Sequence, residues 1–153
     1  MCLILLALNR HPRYPLVLVA NRDEYFSRPA APAAFWPDAP DLLAGKDLSA
    51  GGTWLGITRQ GRLAAVTNVR EPGRNRADAR SRGELTTRFL QGQQPVEHFL
   101  DQLQQQGDAY NGFNLLCGQI NPDTAHQLYH FSNRASAPQP LQPGLHGISN
   151  HLL

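Results

Sequence analysis

Met1-Cys2-Leu3-Ile4-Leu5-Leu6-Ala7-Leu8-Asn9-Arg10-His11-Pro12-Arg13-Tyr14-Pro15-Leu16-Val17-Leu18-Val19-Ala20-Asn21-Arg22-Asp23-Glu24 opens the chain. Two apolar runs, Leu3 to Leu8 and Leu16 to Ala20, flank a breaker-rich segment with Pro12 and Pro15. That alternation predicts an antiparallel hairpin of two buried strands. With the hairpin centred near Pro12, equal steps along each strand set Cys2 opposite Arg22, with Asn21 and Asp23 on either side. A thiol, a guanidinium and a carboxylate would then share one strand end.

The second position gains its chemistry from processing. A side chain as small as cysteine normally lets the initiator methionine be removed, which leaves a residue carrying both a nucleophile and an amine. In general a free α-amine titrates at roughly 7.7–8.0 and a free thiol near 8.5, so such an amine can take the thiol proton. Arg22 would favour the thiolate and Asp23 would hold the ammonium. The plainer reading is a small buried cysteine at the head of a strand, followed by a solvated turn.

Further motifs follow in order: Ala20-Asn21-Arg22-Asp23-Glu24-Tyr25-Phe26-Ser27-Arg28-Pro29, Gly51-Gly52-Thr53-Trp54-Leu55-Gly56-Ile57, Leu63-Ala64-Ala65-Val66-Thr67-Asn68, Arg80-Ser81-Arg82-Gly83-Glu84-Leu85, Tyr110-Asn111-Gly112-Phe113-Asn114-Leu115 and Gly147-Ile148-Ser149-Asn150. Together with Met1-Cys2 they resemble the NRDE family, whose eukaryotic members are called transport and Golgi organisation proteins. The resemblance runs from the first residue to the last. It implies an α+β fold, the layered αββα sandwich of N-terminal-nucleophile hydrolases with antiparallel sheets. It also implies one domain over 1–153, the N-terminal portion of a longer family domain, because family members continue with further strands beyond His151-Leu152-Leu153.

In activity the resemblance implies a cysteine hydrolase of a non-peptide amide C–N bond, with Cys2 as nucleophile and its own α-amine as base. Arg22 and Asp23 would orient that pair. Penicillin V acylase and bile salt hydrolase carry an Asn that donates to the oxyanion, and Asn68 is similar to it. Asn21, Trp54 and Asn150 would bind substrate. One departure from the bile-salt-hydrolase pattern is that Arg22 follows Asn21, where that pattern sets its arginine before the asparagine. The alternative is a non-catalytic haem- or lipid-handling trafficking protein on the same fold. Its ligand would then be haem- or lipid-like, where the hydrolase takes a small-molecule amide.

Composition narrows the field. The chain has 153 residues, 41 % hydrophobic and 17 % charged, with a net charge of +2. That suits one domain with a real core and gives no footing for nucleic acid, which also lacks a motif here. Two cysteines, Cys2 and Cys117, cannot staple a small scaffold, so a reducing compartment is expected. No segment reaches the roughly 18–20 apolar residues of a membrane span, and the expectation is a soluble cytoplasmic protein. No cofactor is expected. His126 and His130 are four apart, but on a strand that spacing is too long for one ion, and no metal is expected.

The rest supplies scaffold. Pro29, Pro32, Pro37 and Pro40 predict an extended surface loop over 28–40, with Phe35 and Trp36 walling a pocket or pinning the loop to the core. Thr53 to Thr58 and Arg62 to Asn68 read as a second hairpin. The Arg-rich stretch 70–82 reads as a solvated loop or an anion-binding flap. Ser81-Arg82-Gly83-Glu84 has capping-box spacing before Leu85, Phe89 and Leu90, and a second helix runs from Pro95 to a stop at Gly107. Phe113 to Ile120 and His126 to Phe131 read as strands around a turn at Asn121-Pro122-Asp123, with Cys117 inert in the core. A proline-rich link, Pro138 to Pro143, leads to Leu145–Asn150.

Overall fold

A computed structural model describes residues 1–121, 126–135 and 137–151 of the chain. The opening hairpin is β1 (Leu3–Leu8) and β2 (Leu16–Asn21), paired from Leu3↔Asn21 to Leu8↔Leu16. This register is centred on Pro12, and one further step sets Cys2 opposite Arg22. Asn9 turns the chain with φ of 52°, and its N–H donates to the Pro15 carbonyl at 2.8 Å. Strand alternation then decides which side chains go in: Ile4, Leu6 and Leu8 are buried, while Leu5 faces out.

Seven strands form the second sheet, in the order β3-β4-β5-β6-β7-β8-β9. They are β3 (Ala30–Trp36), β4 (Ala39–Asp47), β5 (Leu55–Thr58), β6 (Arg62–Asn68), β7 (Phe113–Gln119), β8 (Gln127–Ser132) and β9 (Gln139–Pro140). The last strand, β10 (Gly144–Ile148), joins the free side of β1 instead, giving a three-stranded sheet β10-β1-β2. Between β6 and β7 lie α1 (Gly83–Gln91) and α2 (Val96–Gln106).

The expected loop over 28–40 is in fact mostly strand. Pro32 fits because β3 is the sheet edge, where a missing N–H costs no ladder bond, while Pro29 precedes that strand and Pro40 is the second residue of β4. Pro32 sits in the register shift between Ala31 and Ala34, and Pro37 in the turn to β4. Trp36 does pin this edge, buried in the core with its indole N–H on the Ala44 carbonyl at 3.1 Å. Exposed Phe35 carries the Arg59 guanidinium 3.9 Å from its ring centre.

Other boundaries shift for local reasons. The capping box does not form: Arg82 is the N-cap residue, and no side chain caps the helix. Glu84 turns instead to Arg80, at 2.5 Å, and to the Tyr110 hydroxyl. Gly107 does not end the second helix cleanly but continues it into a 3-10 turn, Gly107–Ala109. The proline-rich link contributes β9. Of the turn at 121–123, Pro122 and Asp123 lie outside the described residues.

Two cores result. One lies between the seven-stranded sheet and the helices, with Leu85, Phe89, Phe99, Leu103, Phe113 and Leu115 buried in it. The other lies between the two sheets, with Ile4, Leu6, Leu8, Leu116, Leu128 and Ile148. Each such side chain contributes about 1.5–3 kcal/mol. The described residues thus form an α+β sandwich, helices on sheet on sheet. They include no helical layer on the outer face of the small sheet, where Leu5, Val19 and Leu145 are exposed by 49, 66 and 78 %. No helix among them is long and apolar enough to cross a membrane.

Candidate functional site

Cys2 lies at the head of β1, where both neighbouring strands end. Its Sγ accepts the Asp23 N–H at 3.3 Å, and its own backbone N–H donates to Asn150 Oδ1 at 2.6 Å. Asn150 is fixed in turn, its Nδ2 donating to the Asn68 carbonyl at 2.8 Å and its carbonyl accepting the Arg70 N–H at 2.8 Å. Beneath it, the Thr67 hydroxyl donates to the Ser149 carbonyl at 2.7 Å, and Asn114 Nδ2 donates to the Ser149 and His151 carbonyls at 3.1 and 2.9 Å. Buried polar groups of this kind must be paired, so the turn after β10 is locked against β6 and β7. With Met1 in place, its ammonium pairs with the Asp23 carboxylate, and Asn21 Nδ2 holds the Met1 carbonyl at 3.1 Å.

Arg22 is directed elsewhere than the sulfur. Its guanidinium meets Glu24 at 3.1 Å and Asp47 at 3.4 Å, and Arg28 meets Asp47 at 2.8 Å. Burial acts to raise the Asp47 carboxyl, but the Arg28 hydrogen bond and the amides of Ala50 and Ser49 outweigh it, so the group stays below the usual carboxylate range. Arg28 is held above the ordinary arginine value by the same bond. This network ties the Asn21–Glu24 segment to the end of β4.

A cavity of about 1030 Å³ opens onto this strand end. Cys2, Arg22, Asp23, Trp54 and Asn68 line it; Asn21 and Asn150 do not. Asn68 ends β6 and is exposed there. Arg82, the N-cap residue of α1, also lines the cavity. Burial lowers its guanidinium from the ordinary arginine value, opposed by the fields of Cys2 and Glu24. The residue is delivered by packing: the Gly51-Gly52 turn lies against the start of α1, and the Thr86 hydroxyl bonds to the carbonyls of Thr53 and, at 2.8 Å, Gly83.

Sequence reasoning set Arg82 in a capping box and, with the rest of 70–82, in a solvated loop or an anion-binding flap, without singling it out as a site residue. It also passed over Asp47 and Asn114. A signal existed for Arg82 in the Arg80–Leu85 motif, but nothing in the linear order says that the start of α1 returns to the first hairpin. Cys117 is buried, which pushes its thiol far up. Among the described residues no group of three His, Cys, Asp or Glu side chains could hold a metal ion.

The family model for Transport and Golgi organisation 2 matches residues 1–153. The chain is 40 % identical over 161 residues to the Transport and Golgi organization protein 2 homolog of Bos taurus, covering 100 % of this chain and 58 % of that protein. Similarity to the Homo sapiens homolog is 40 % over 162 residues, with the same coverage. The Drosophila melanogaster Transport and Golgi organization protein 2 is 29 % identical over 132 residues, or 78 % of this chain and 46 % of that one. The chain therefore spans 58 % of the mammalian relatives' length. With all of the sequence matched, Met1-Cys2 through Asn150 included, this chain belongs to the Transport and Golgi organisation 2 family.

Proposed function

We propose that the protein is a cysteine N-terminal-nucleophile amidohydrolase acting on a non-peptide amide. The observation that carries this reading is the pair of contacts on Cys2: a sulfur accepting a backbone N–H beside a large cavity, and a backbone nitrogen held by Asn150 Oδ1. Removal of Met1 turns that nitrogen from an amide into an amine, with Asn150 Oδ1 beside it and the Asp23 carboxylate released from the Met1 ammonium. The amine takes the thiol proton and Sγ attacks the carbonyl carbon. The C–N bond then breaks, and the leaving amine departs with that proton. Water hydrolyses the thioester to the acid and restores the thiol. Asn68, at the cavity wall, is the side-chain donor for the oxyanion, a role worth on the order of a hundred- to a thousandfold in rate.

A second reading, a non-catalytic carrier of a haem- or lipid-like ligand, is favoured by the apolar arm of the cavity, where Leu16, Leu18 and Ile57 reach between the sheets. Acyl-amide probes separate the two. The hydrolase labels at Cys2 and not at Cys117 once Met1 is gone, as read by intact mass and peptide mapping. A Cys2→Ser chain that keeps every cellular role supports the carrier instead.

A further inference from the structure

We infer that the cavity beside Cys2 binds an organic carboxylate with an apolar body, and that Arg82 is the residue anchoring its anionic group. This deepens the reading above by giving its substrate a charge, and it rests on that reading only for turnover, not for binding.

The charges of the cavity wall carry the argument. Among the described residues that line it, five are cationic (Arg22, Arg28, Lys46, Arg80 and Arg82) and three are acidic (Asp23, Glu24 and Asp47). All but one of the cations have a carboxylate: Arg22 and Arg28 share Glu24 and Asp47, Lys46 meets Asp38 at 3.6 Å, and Arg80 meets Glu84. Arg82 has no ion pair among the described residues, and its hydrogen bond there goes from one terminal nitrogen to the Gly112 carbonyl at 3.1 Å. A guanidinium carries five N–H donors in a planar fork and stays charged even when burial lowers its pKa.

An arginine drawn partly out of water without a counter-ion needs an anion or water at its remaining donors. The cavity offers space for the former. Arg82 and Cys2 both line the cavity and no hydrogen bond joins them, so a ligand held there can meet both. A planar carboxylate matches the fork in two parallel bonds. Its apolar body then lies along Leu16, Leu18, Leu55 and Ile57, which the cavity exposes between the sheets. Arg82 cannot swing away freely, because Gly83 behind it is pressed onto Gly52 and Thr86 is tied to Thr53.

The test is binding without turnover. The whole chain carrying Cys2→Ala is titrated with phenylbutyrate and with phenylbutanol, a neutral analogue, by calorimetry and by Trp54 fluorescence. The carboxylate is expected to bind at least roughly tenfold tighter, the usual worth of a charge-assisted pair. Adding Arg82→Gln should erase that preference while leaving phenylbutanol affinity unchanged, Arg82→Lys should retain part of it, and Arg59→Gln, outside the cavity, should retain all. Equal affinity for the two probes overturns the inference without any variant, so a misfolded Arg82→Gln chain does not rescue it. Preference surviving in a folded Arg82→Gln chain overturns it as well. Acyl-amide labelling of Cys2 is read separately: its failure alone removes the hydrolase, and loss of carboxylate preference alone removes the anchor.

Discussion

A Cβ placed on Gly52 would lie 2.7 Å from both the carbonyl carbon and the carbonyl oxygen of Gly83. No real Cβ tolerates that distance to backbone, so the turn after β4 and the start of α1 touch only because Gly52 lacks a side chain. Arg82 immediately precedes this contact, and the cavity wall depends on it. Gly52→Ala should therefore push the start of the helix outward and cost about 1–3 kcal/mol, in the range of overpacking. Chemical denaturation checks the stability, and loss of the carboxylate preference checks that Arg82 has moved with the helix.

Asn150 offers Oδ1 to the Cys2 nitrogen and Nδ2 to the Asn68 carbonyl. Asn150→Ala removes both and should slow probe labelling of Met-free Cys2 by about tenfold, one hydrogen bond's worth. Asn150→Asp keeps the oxygen and should recover most of that rate. Time-resolved intact mass reads both, and an unchanged rate in the alanine variant would remove Asn150 from the site.

Arg62 does structural work at the far end of α1. It donates to the Phe89 carbonyl at 3.0 Å and the Gln94 carbonyl at 3.1 Å, and its guanidinium lies 4.0 Å from the Phe89 ring centre. The Phe89 carbonyl belongs to the last turn of α1, which lacks partners of its own, and the Gln94 carbonyl to the segment that follows it. A lysine cannot fork to both, so Arg62→Lys should cost about 1–2 kcal/mol in a denaturant titration while leaving Cys2 labelling as it was.

Glu71, like Asp47, is a source of stability that acid removes. Arg134 grips its two oxygens at 2.8 and 2.9 Å, and this bond holds the carboxyl below its usual 4.5. A depressed folded pKa means that the unfolded chain takes up the proton first. The contribution is complete above pH 4.5 and is lost as pH falls through the folded value. Glu71→Gln should thus be less stable by about 1 kcal/mol at pH 7, and the two chains should converge in strong acid. Parallel melting curves that stay separated by the same amount at every pH would refute this.

How far the sequence reaches differs along the chain. The register of the first hairpin was legible, because two apolar runs about a proline-rich turn leave few registers that bury Ile4, Leu6 and Leu8 together. The second strand is not buried as expected: Val17 and Val19 are exposed on the outer face of the small sheet. Both helices could be read from the spacing of Leu85 with Phe89 and of Phe99 with Leu103. Prolines misled at Ala30–Trp36, since edge position is a property of the assembled sheet and not of the segment. Capping-box spacing misled at Ser81, since Glu84 found Arg80 and Tyr110 instead.

Local order alone thus determined the strand pair that carries Cys2, Arg22 and Asp23, since alternation and turn chemistry act between near neighbours. Tertiary structure alone decided which charges meet there. It sent Arg22 to Glu24 and Asp47, locked Asn150 over Asn114, and brought Arg82 to the cavity through the contact of Gly52 with Gly83. Long side chains choose among partners only once packing has fixed the distances, and those distances are set by segments far apart in the chain.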